Sequence, residues 1–139
     1  QEMMASIYIR ANNPEVLASL FGRLPRPARE AGLRYIREIN GKRERVVEQV
    51  RKQNAADAGR ASEKINEINE KFKKMLVLLY KKCITPLYAD LWGRADLSED
   101  ERYSLQYLNF NPRLLLIFDD CAAQLKPFFS KEIFRCLFY

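Results

Sequence analysis

Residues 114–121, LLLIFDDC, decide the fold that this sequence predicts. The five apolar residues at 114–118 do not alternate with polar ones, which is typical of a central strand covered on both faces in a parallel sheet. That strand would end at Asp119 and Asp120. Ligands of parallel α/β sheets bind beyond the carboxyl ends of the strands, so both carboxylates are expected where chemistry takes place. The stretch therefore predicts an α/β fold with a parallel sheet.

An apolar strand that ends in an aspartate and a second acid is the Walker B pattern of P-loop NTPases. The first acid of that pattern holds Mg²⁺, and the second orients and activates the attacking water. A plainer interpretation stays open, in which Asp119 and Asp120 only form a turn and cap the following helix.

The residues around this motif resemble a known family. Residues 109–126, NFNPRLLLIFDDCAAQLK, and residues 130–139, SKEIFRCLFY, are similar to the Walker B region of the genome-packaging ATPases of nucleocytoplasmic large DNA viruses, a branch of the FtsK–HerA superfamily. The resemblance covers roughly residues 98–139 with any strength. A weaker likeness covers residues 13–25, where the family has a Leu-Phe-Gly-Arg-Leu-Pro type of segment.

The resemblance implies an ATP-driven motor that packages double-stranded DNA and works as a homo-oligomeric ring around it. It assigns Asp119 to Mg²⁺ and Asp120 to the catalytic water, with ATP as the nucleotide. It also implies a location in the host cytoplasm or the virion.

The sequence departs from the family pattern in one respect. It has no G-x-x-x-x-G-K-[ST] motif, because its glycines are isolated from one another, so the main anchor for the β- and γ-phosphates is missing. This absence and the first residue, Gln1, fit a fragment without the Walker A region. We therefore expect the chain alone to bind nucleotide weakly or not at all.

Composition narrows the possible chemistry. The 139 residues suffice for one domain, and they include three scattered cysteines and no histidine, which argues against a zinc site or a disulfide framework. No apolar run approaches the roughly 20 residues that span a bilayer, so we expect a soluble protein with no membrane span.

Residues 42–84 follow a helical pattern throughout. Their apolar and small residues recur every three or four positions, as in a coiled coil or helical hairpin. One straight helix would be about 63 Å long, which is too long for a compact domain, so we predict that the chain folds back near residues 54–59. By residue count, helices dominate the predicted fold. The predicted divisions are residues 1–26 as strand and short helix of the ATPase core, 27–85 as a helical insertion and 86–139 as the Walker B region.

Other local signals place the remaining elements. Residues 4–10 alternate as a strand, Asn13 and Pro14 begin a helix, and a helix over residues 28–40 would bury Leu33 and stop or kink at Gly41. Residues 98–101 form a capping box, which predicts a helix to about residue 109. Trp92 is expected in the core, and a final helix is expected from residue 130.

The net charge of +6 is concentrated in residues 41–82, which hold twelve basic and six acidic groups. Ten of these basic residues are candidates for DNA contact: Lys42, Arg43, Arg45, Arg51, Lys52, Arg60, Lys64, Lys71, Lys73 and Lys74. Six are favoured as DNA or partner contacts: Arg43, Arg45, Arg51, Lys52, Lys71 and Lys74. The alternative is a solvated helix with ion pairs such as Glu48–Arg51 and Glu67–Lys71.

Two rivals to the motor hypothesis remain. The first is a non-enzymatic, mainly helical structural or assembly protein, in which the long helix pair mediates association and residues 117–121, IFDDC, are only a buried strand with a capped turn. The second is a basic helical module that binds nucleic acid without ATP.

Overall fold

The protein is described by a computed structural model that covers residues 13–110, 130–132 and 135. Five α-helices follow one another in the first range: α1, Pro14–Gly22; α2, Arg26–Gln53; α3, Ala58–Ile84; α4, Tyr88–Trp92; and α5, Glu99–Phe110. A 3₁₀ turn, Thr85–Leu87, joins α3 to α4. Residues 131, 132 and 135 are also helical, as predicted for a helix that starts at residue 130.

The α/β prediction is wrong. No described residue lies in a strand, and a single cluster of side chains from helices and their connections forms the core. A short apolar run without alternation does not by itself distinguish a buried strand from a buried helical segment, so the pattern was a weak guide to fold class. The predicted strands at residues 4–10 and 114–118 lie outside the described residues.

Helices α2 and α3 form the predicted antiparallel hairpin. Helix α2 ends at Gln53, residues 54–57 turn, and α3 begins at Ala58 with the side chain of Asp57 accepting from the backbone N–H of Arg60 at 3.1 Å. Asn54 also closes α2, because its side-chain amide donates to the carbonyl of Val50 at 2.9 Å. The fold-back near residues 54–59 is confirmed.

Gly41 does not stop α2, which corrects the predicted helix end at residue 40. A glycine costs a helix about 1 kcal/mol, and the buried contacts of Ile39 and Val47 on either side of it outweigh that cost. The buried stripe also begins one residue earlier than predicted, since Gly32 is buried and Leu33 is 36% exposed.

The core is concentrated at one end of the hairpin. Helix α1 packs on α3 and α5, and α4 packs on α5. Three consecutive residues of α3, residues 77–79, are all buried, which requires neighbours on more than one side of the helix. We call residues 14–24 and 75–110 the base. Residues 42–74, which project from it as a two-helix hairpin, are called the arm.

Gly32 lets α2 approach α1 closely. A Cβ atom at this position would lie 2.5 Å from Cε2 of Phe21 and 3.2 Å from the Sγ of Cys83. Phe21 is itself buried and stacks at an angle on Tyr80, with ring centroids 5.4 Å apart. The glycine is therefore required by packing.

Candidate functional site

The predicted catalytic residues, Asp119 and Asp120, lie outside the described residues. Their roles with Mg²⁺ and water stay predictions. Within residues 13–110, 130–132 and 135, no group of three or more His, Cys, Asp and Glu side chains is arranged to hold a metal ion. The described helices also include none that is long and apolar enough to cross a bilayer.

A charged clamp joins the end of α1 to the start of α5. The guanidinium of Arg23 donates to both carboxylate oxygens of Glu101, at 2.6 Å and 3.2 Å. The hydroxyl of Ser19 donates to the same carboxylate at 3.2 Å. Glu101 also completes the predicted capping box, accepting from the backbone of Ser98 at 3.0 Å while its own N–H donates to the Ser98 hydroxyl at 3.1 Å. This box is confirmed.

Asp96 and Arg94 extend the clamp towards solvent. Arg23 also pairs with Asp96, and Arg94 donates to Asp96 at 3.1 Å and to the carbonyl of Arg23 at 3.3 Å. The hydrogen bonds from Arg94 and then Arg23 hold the pKa of Asp96 well below its usual range. Burial by itself would raise the pKa of Glu101, but hydrogen bonds from Ser98 and Arg23 outweigh burial and lower it. Both carboxylates are therefore charged near neutral pH.

The clamp connects the two parts of the sequence on which the expected resemblance to packaging ATPases rests. Arg23 belongs to the segment at residues 13–25, and Glu101 lies in the stretch just before the Walker B region. The hairpin leaves the base at Arg26 and returns to it through α3. The sequence indicates only the capping role of Glu101, because no pattern among neighbouring residues links it to a partner 78 positions earlier.

The favoured basic residues of the arm fall into two groups. Arg43 donates to the side-chain oxygen of Asn69 across the hairpin at 3.2 Å, and Arg51 pairs with Glu48 at 3.9 Å, which confirms that predicted ion pair. The other four contact no carboxylate within 4.0 Å in the described part of the chain: Arg45, Lys52, Lys71 and Lys74.

These four residues share one side of the arm with three further cations. In α3, four basic residues are spaced by four, seven and three positions and so follow one face of the helix: Arg60, Lys64, Lys71 and Lys74. In α2, Lys42 lies half-buried beside the helix–helix seam. Arg45 and Lys52 lie further out on the exposed surface of the helix, where they line a shallow depression with Glu44 and Glu48. Burial agrees, since Lys42, Lys64 and Lys71 are half-buried beside the seam. We call these seven residues the basic face.

A groove lies on the opposite side of the hairpin, where α1 packs. It has a volume of about 410 Å³ and a mainly apolar lining that includes Ala18, Phe72 and Leu76, with Arg43 and Lys73 also contributing to its wall. Lys73 and Arg43 therefore lie apart from the basic face.

Lys81 is a buried cation in the base that sequence analysis did not single out. Its side chain is fully buried in α3, and this burial lowers its pKa to about 8. The sequence at residues 80–82 is typical of the solvated end of a helix. Only the packing around Lys81 shows that its side chain is buried.

The aromatic residues of α4 lie at the surface of the base. Trp92 is 37% exposed, which corrects its predicted place in the core. Tyr88 stacks on it with ring centroids 5.9 Å apart, and the Arg102 guanidinium lies 5.4 Å from the Trp92 ring centroid. Arg102 also donates to the carbonyl of Arg94 at 2.6 Å, so this cluster ties α4 to α5.

This chain is similar to viral proteins. Two curated relatives are each described as "Uncharacterized protein B354L", one from a Kenyan pig isolate and one from a Malawian tick isolate of African swine fever virus. Each is 35% identical to this chain, over 139 and 144 aligned positions, and each match covers 100% of the chain and 34% of the relative. The chain thus spans about a third of the length of the curated relatives it matches. No protein-family model and no solved structure matches it.

Proposed function

We propose that this chain is part of an ATP-driven motor ATPase that packages double-stranded viral DNA, and that the hairpin is an accessory arm of that motor. The clamp between Arg23 and Glu101 carries the proposal. It brings the two stretches with family resemblance together, as expected if the hairpin is an insertion into a unit formed by both. The viral relatives, about three times as long as this chain, leave room for a phosphate-binding loop elsewhere in the whole protein.

The chemistry is assigned to the carboxylates at residues 119 and 120. Asp119 would bind Mg²⁺, which supplies charge neutralisation at the phosphates of ATP. Asp120 would accept a hydrogen bond from the attacking water and orient it. Subunits would assemble as a homo-oligomeric ring around DNA, in the host cytoplasm or the virion.

The test is ATP hydrolysis by the full-length protein that carries this sequence. We expect Asp120→Asn to lower the hydrolysis rate by at least about 100-fold while leaving ATP binding in place, because a neutral amide cannot take a proton from the attacking water. Asp119→Asn should raise the Mg²⁺ concentration needed for half-maximal rate. Asp90→Asn, at an exposed position of α4, is the matched control and should change neither quantity.

Equal hydrolysis by the wild type and Asp120→Asn would contradict the assignment. A separate titration of this 139-residue chain with fluorescent ATP and Mg²⁺ should show weak binding or none, because it lacks the phosphate loop. Micromolar binding would contradict that expectation.

A second candidate is a non-enzymatic helical assembly protein. The observation that favours it is the wholly helical core of the described residues. Here the full-length protein would hydrolyse no ATP, and variants at residues 119 and 120 would leave its self-association unchanged in sedimentation experiments.

A further inference from the structure

We propose that the basic face of the arm binds the phosphate backbone of duplex DNA. The first observation is the state of its cations. Elsewhere in the described chain, arginines such as Arg23, Arg26 and Arg94 pair with carboxylates within 4.0 Å. None of the seven cations of the basic face does so among the described residues, and neither do Arg37 and Lys73 on the other side of the hairpin. The basic face therefore differs from its surroundings in how its unpaired cations are arranged.

The second observation is the shape of the face. The row on α3 extends about 21 Å from Arg60 to Lys74, at 1.5 Å per residue, and α2 runs beside it at the usual interaxial distance of about 8–10 Å. Duplex DNA carries one charge per about 1.7 Å of its axis when both strands are counted, so a 21 Å length of duplex carries roughly 12 phosphate charges, and only those on the near side meet the row. A pair of packed helices is too wide to enter the major groove, which is about 12 Å wide, so the face would lie across the backbones.

The third observation is what the face lacks. Phe72 is the only aromatic residue of the arm, and it is 1% exposed. Protein interfaces depend on exposed aromatic and apolar anchors, and single-stranded DNA is bound largely by stacking on aromatic rings. A rigid face of cations without such anchors fits backbone contacts to a duplex, which position a protein without reading sequence.

Acidic residues limit the strength of this binding. Glu67 lies within the α3 row, and Glu44 and Glu48 are exposed on α2. They reduce the positive potential, so we expect micromolar, salt-dependent and sequence-independent affinity. This inference deepens the proposed function and rests on it, because it names the surface of the chain that contacts the packaged DNA. Its test involves no ATP, so each can fail without the other.

The experiment measures binding of the 139-residue chain to a fluorescent 30-base-pair duplex by anisotropy between about 50 and 200 mM salt. The test variant carries Lys64→Gln and Lys71→Gln, two substitutions within the α3 row. Loss of two phosphate contacts should reduce the slope of log K against log salt by about 2 and raise Kd at 100 mM salt at least about tenfold.

The matched control carries Arg37→Gln and Lys73→Gln, which remove the same charge from the other side of the hairpin. We expect its Kd to change less than about threefold, with the salt slope of the wild type. Thermal melting followed by circular dichroism verifies that both variants fold. Gln is chosen because its helix propensity is close to that of Lys, so the substitutions should leave the helices intact.

Three results would overturn the proposal. The first is equal weakening by both double variants, which would indicate a general effect of net charge. The second is a single-stranded oligonucleotide of equal length that binds as tightly as the duplex. The third is displacement of the duplex by polyglutamate at equal charge concentration, since an acidic protein would then be as good a partner.

Discussion

The base and the arm use the same charged residue types differently. In the base, Arg23 and Glu101 meet through two hydrogen bonds, and Glu101 is only 4% exposed. In the arm, most cations project from the helices without a carboxylate partner among the described residues, and the core is a single stripe along the seam. Some basic residues of a sequence therefore stabilise its fold through ion pairs, and others stay exposed and can contact a partner.

The largest expected effect tests where stability resides. Leu78→Ala removes a fully buried side chain of the base and should lower the free energy of unfolding by about 3–4 kcal/mol. The matched change in the arm, Val50→Ala, affects a half-buried position and should cost about 1 kcal/mol. Urea denaturation measures both. Equal costs would mean that the base is no more tightly packed than the arm.

The next effect is a pH dependence confined to the base. Because burial lowers the pKa of Lys81 to about 8 in the folded state, the unfolded chain binds more protons between about pH 8 and 10.5. Stability should therefore rise with pH across this window, by up to about 3 kcal/mol. Burial raises the pKa of Tyr80, which opposes the trend above about pH 10, so the informative range ends near pH 9.5.

Denaturation of the wild type and Lys81→Met between pH 7 and 9.5 measures this dependence. The variant should flatten the rise, and Lys52→Met in the exposed arm is the control that should leave it unchanged. A rise of the same size in Lys81→Met would assign the pH dependence to another group.

A smaller effect tests the close approach of α2 to the base. Gly32→Ala should destabilise the protein by about 2 kcal/mol, because the added Cβ would overlap the buried ring of Phe21. Gly22→Ala is the control, since nothing lies within 4 Å of a Cβ there. That substitution should be neutral or stabilising by up to about 1 kcal/mol, because alanine reduces the freedom of the unfolded chain. Thermal melts that rank the two variants in the opposite order would contradict the packing argument.

The smallest effect tests the tip of the arm. Asp57→Ala removes the side-chain acceptor of the α3 N-cap and should cost about 1 kcal/mol. Asp57→Asn keeps a side-chain oxygen and should change little. Amide hydrogen exchange at residues 58–61 should quicken in the alanine variant alone, and no change there would show that this cap contributes little to the hairpin turn.

Local signals in the sequence predicted the helix boundaries that depend on a few neighbouring residues. Asn13 caps α1 by accepting from the N–H of Glu15 at 2.9 Å, with Pro14 at the first helical position as predicted. The Ser98–Glu101 box and the turn before Asp57 were also predictable, because each requires only residues within four positions of one another. Gly41 shows the limit of such signals, since packing outweighed its low helix propensity.

The candidate site was less predictable. The basic residues of the arm could be nominated from the sequence. The sequence could not separate Arg43, which bonds to Asn69 on the facing helix, from Arg45, which has no such partner in the described part of the chain. Helical spacing shows which residues share a face of one helix. Which faces of two helices lie side by side in a hairpin depends on how the helices pack.

The sequence by itself determined the helices, their caps and the point at which the hairpin turns, because short-range hydrogen bonds and a three-to-four-residue apolar spacing suffice for these. The tertiary structure decided which charged side chains form ion pairs or are buried and which remain exposed to solvent. Arg23 bonds to Glu101, which lies 78 positions later in the chain. Lys81 is buried away from water, and Gly32 lies close to the ring of Phe21. Each outcome follows from the distance between groups in space and their removal from water, quantities that spacing along the chain does not fix.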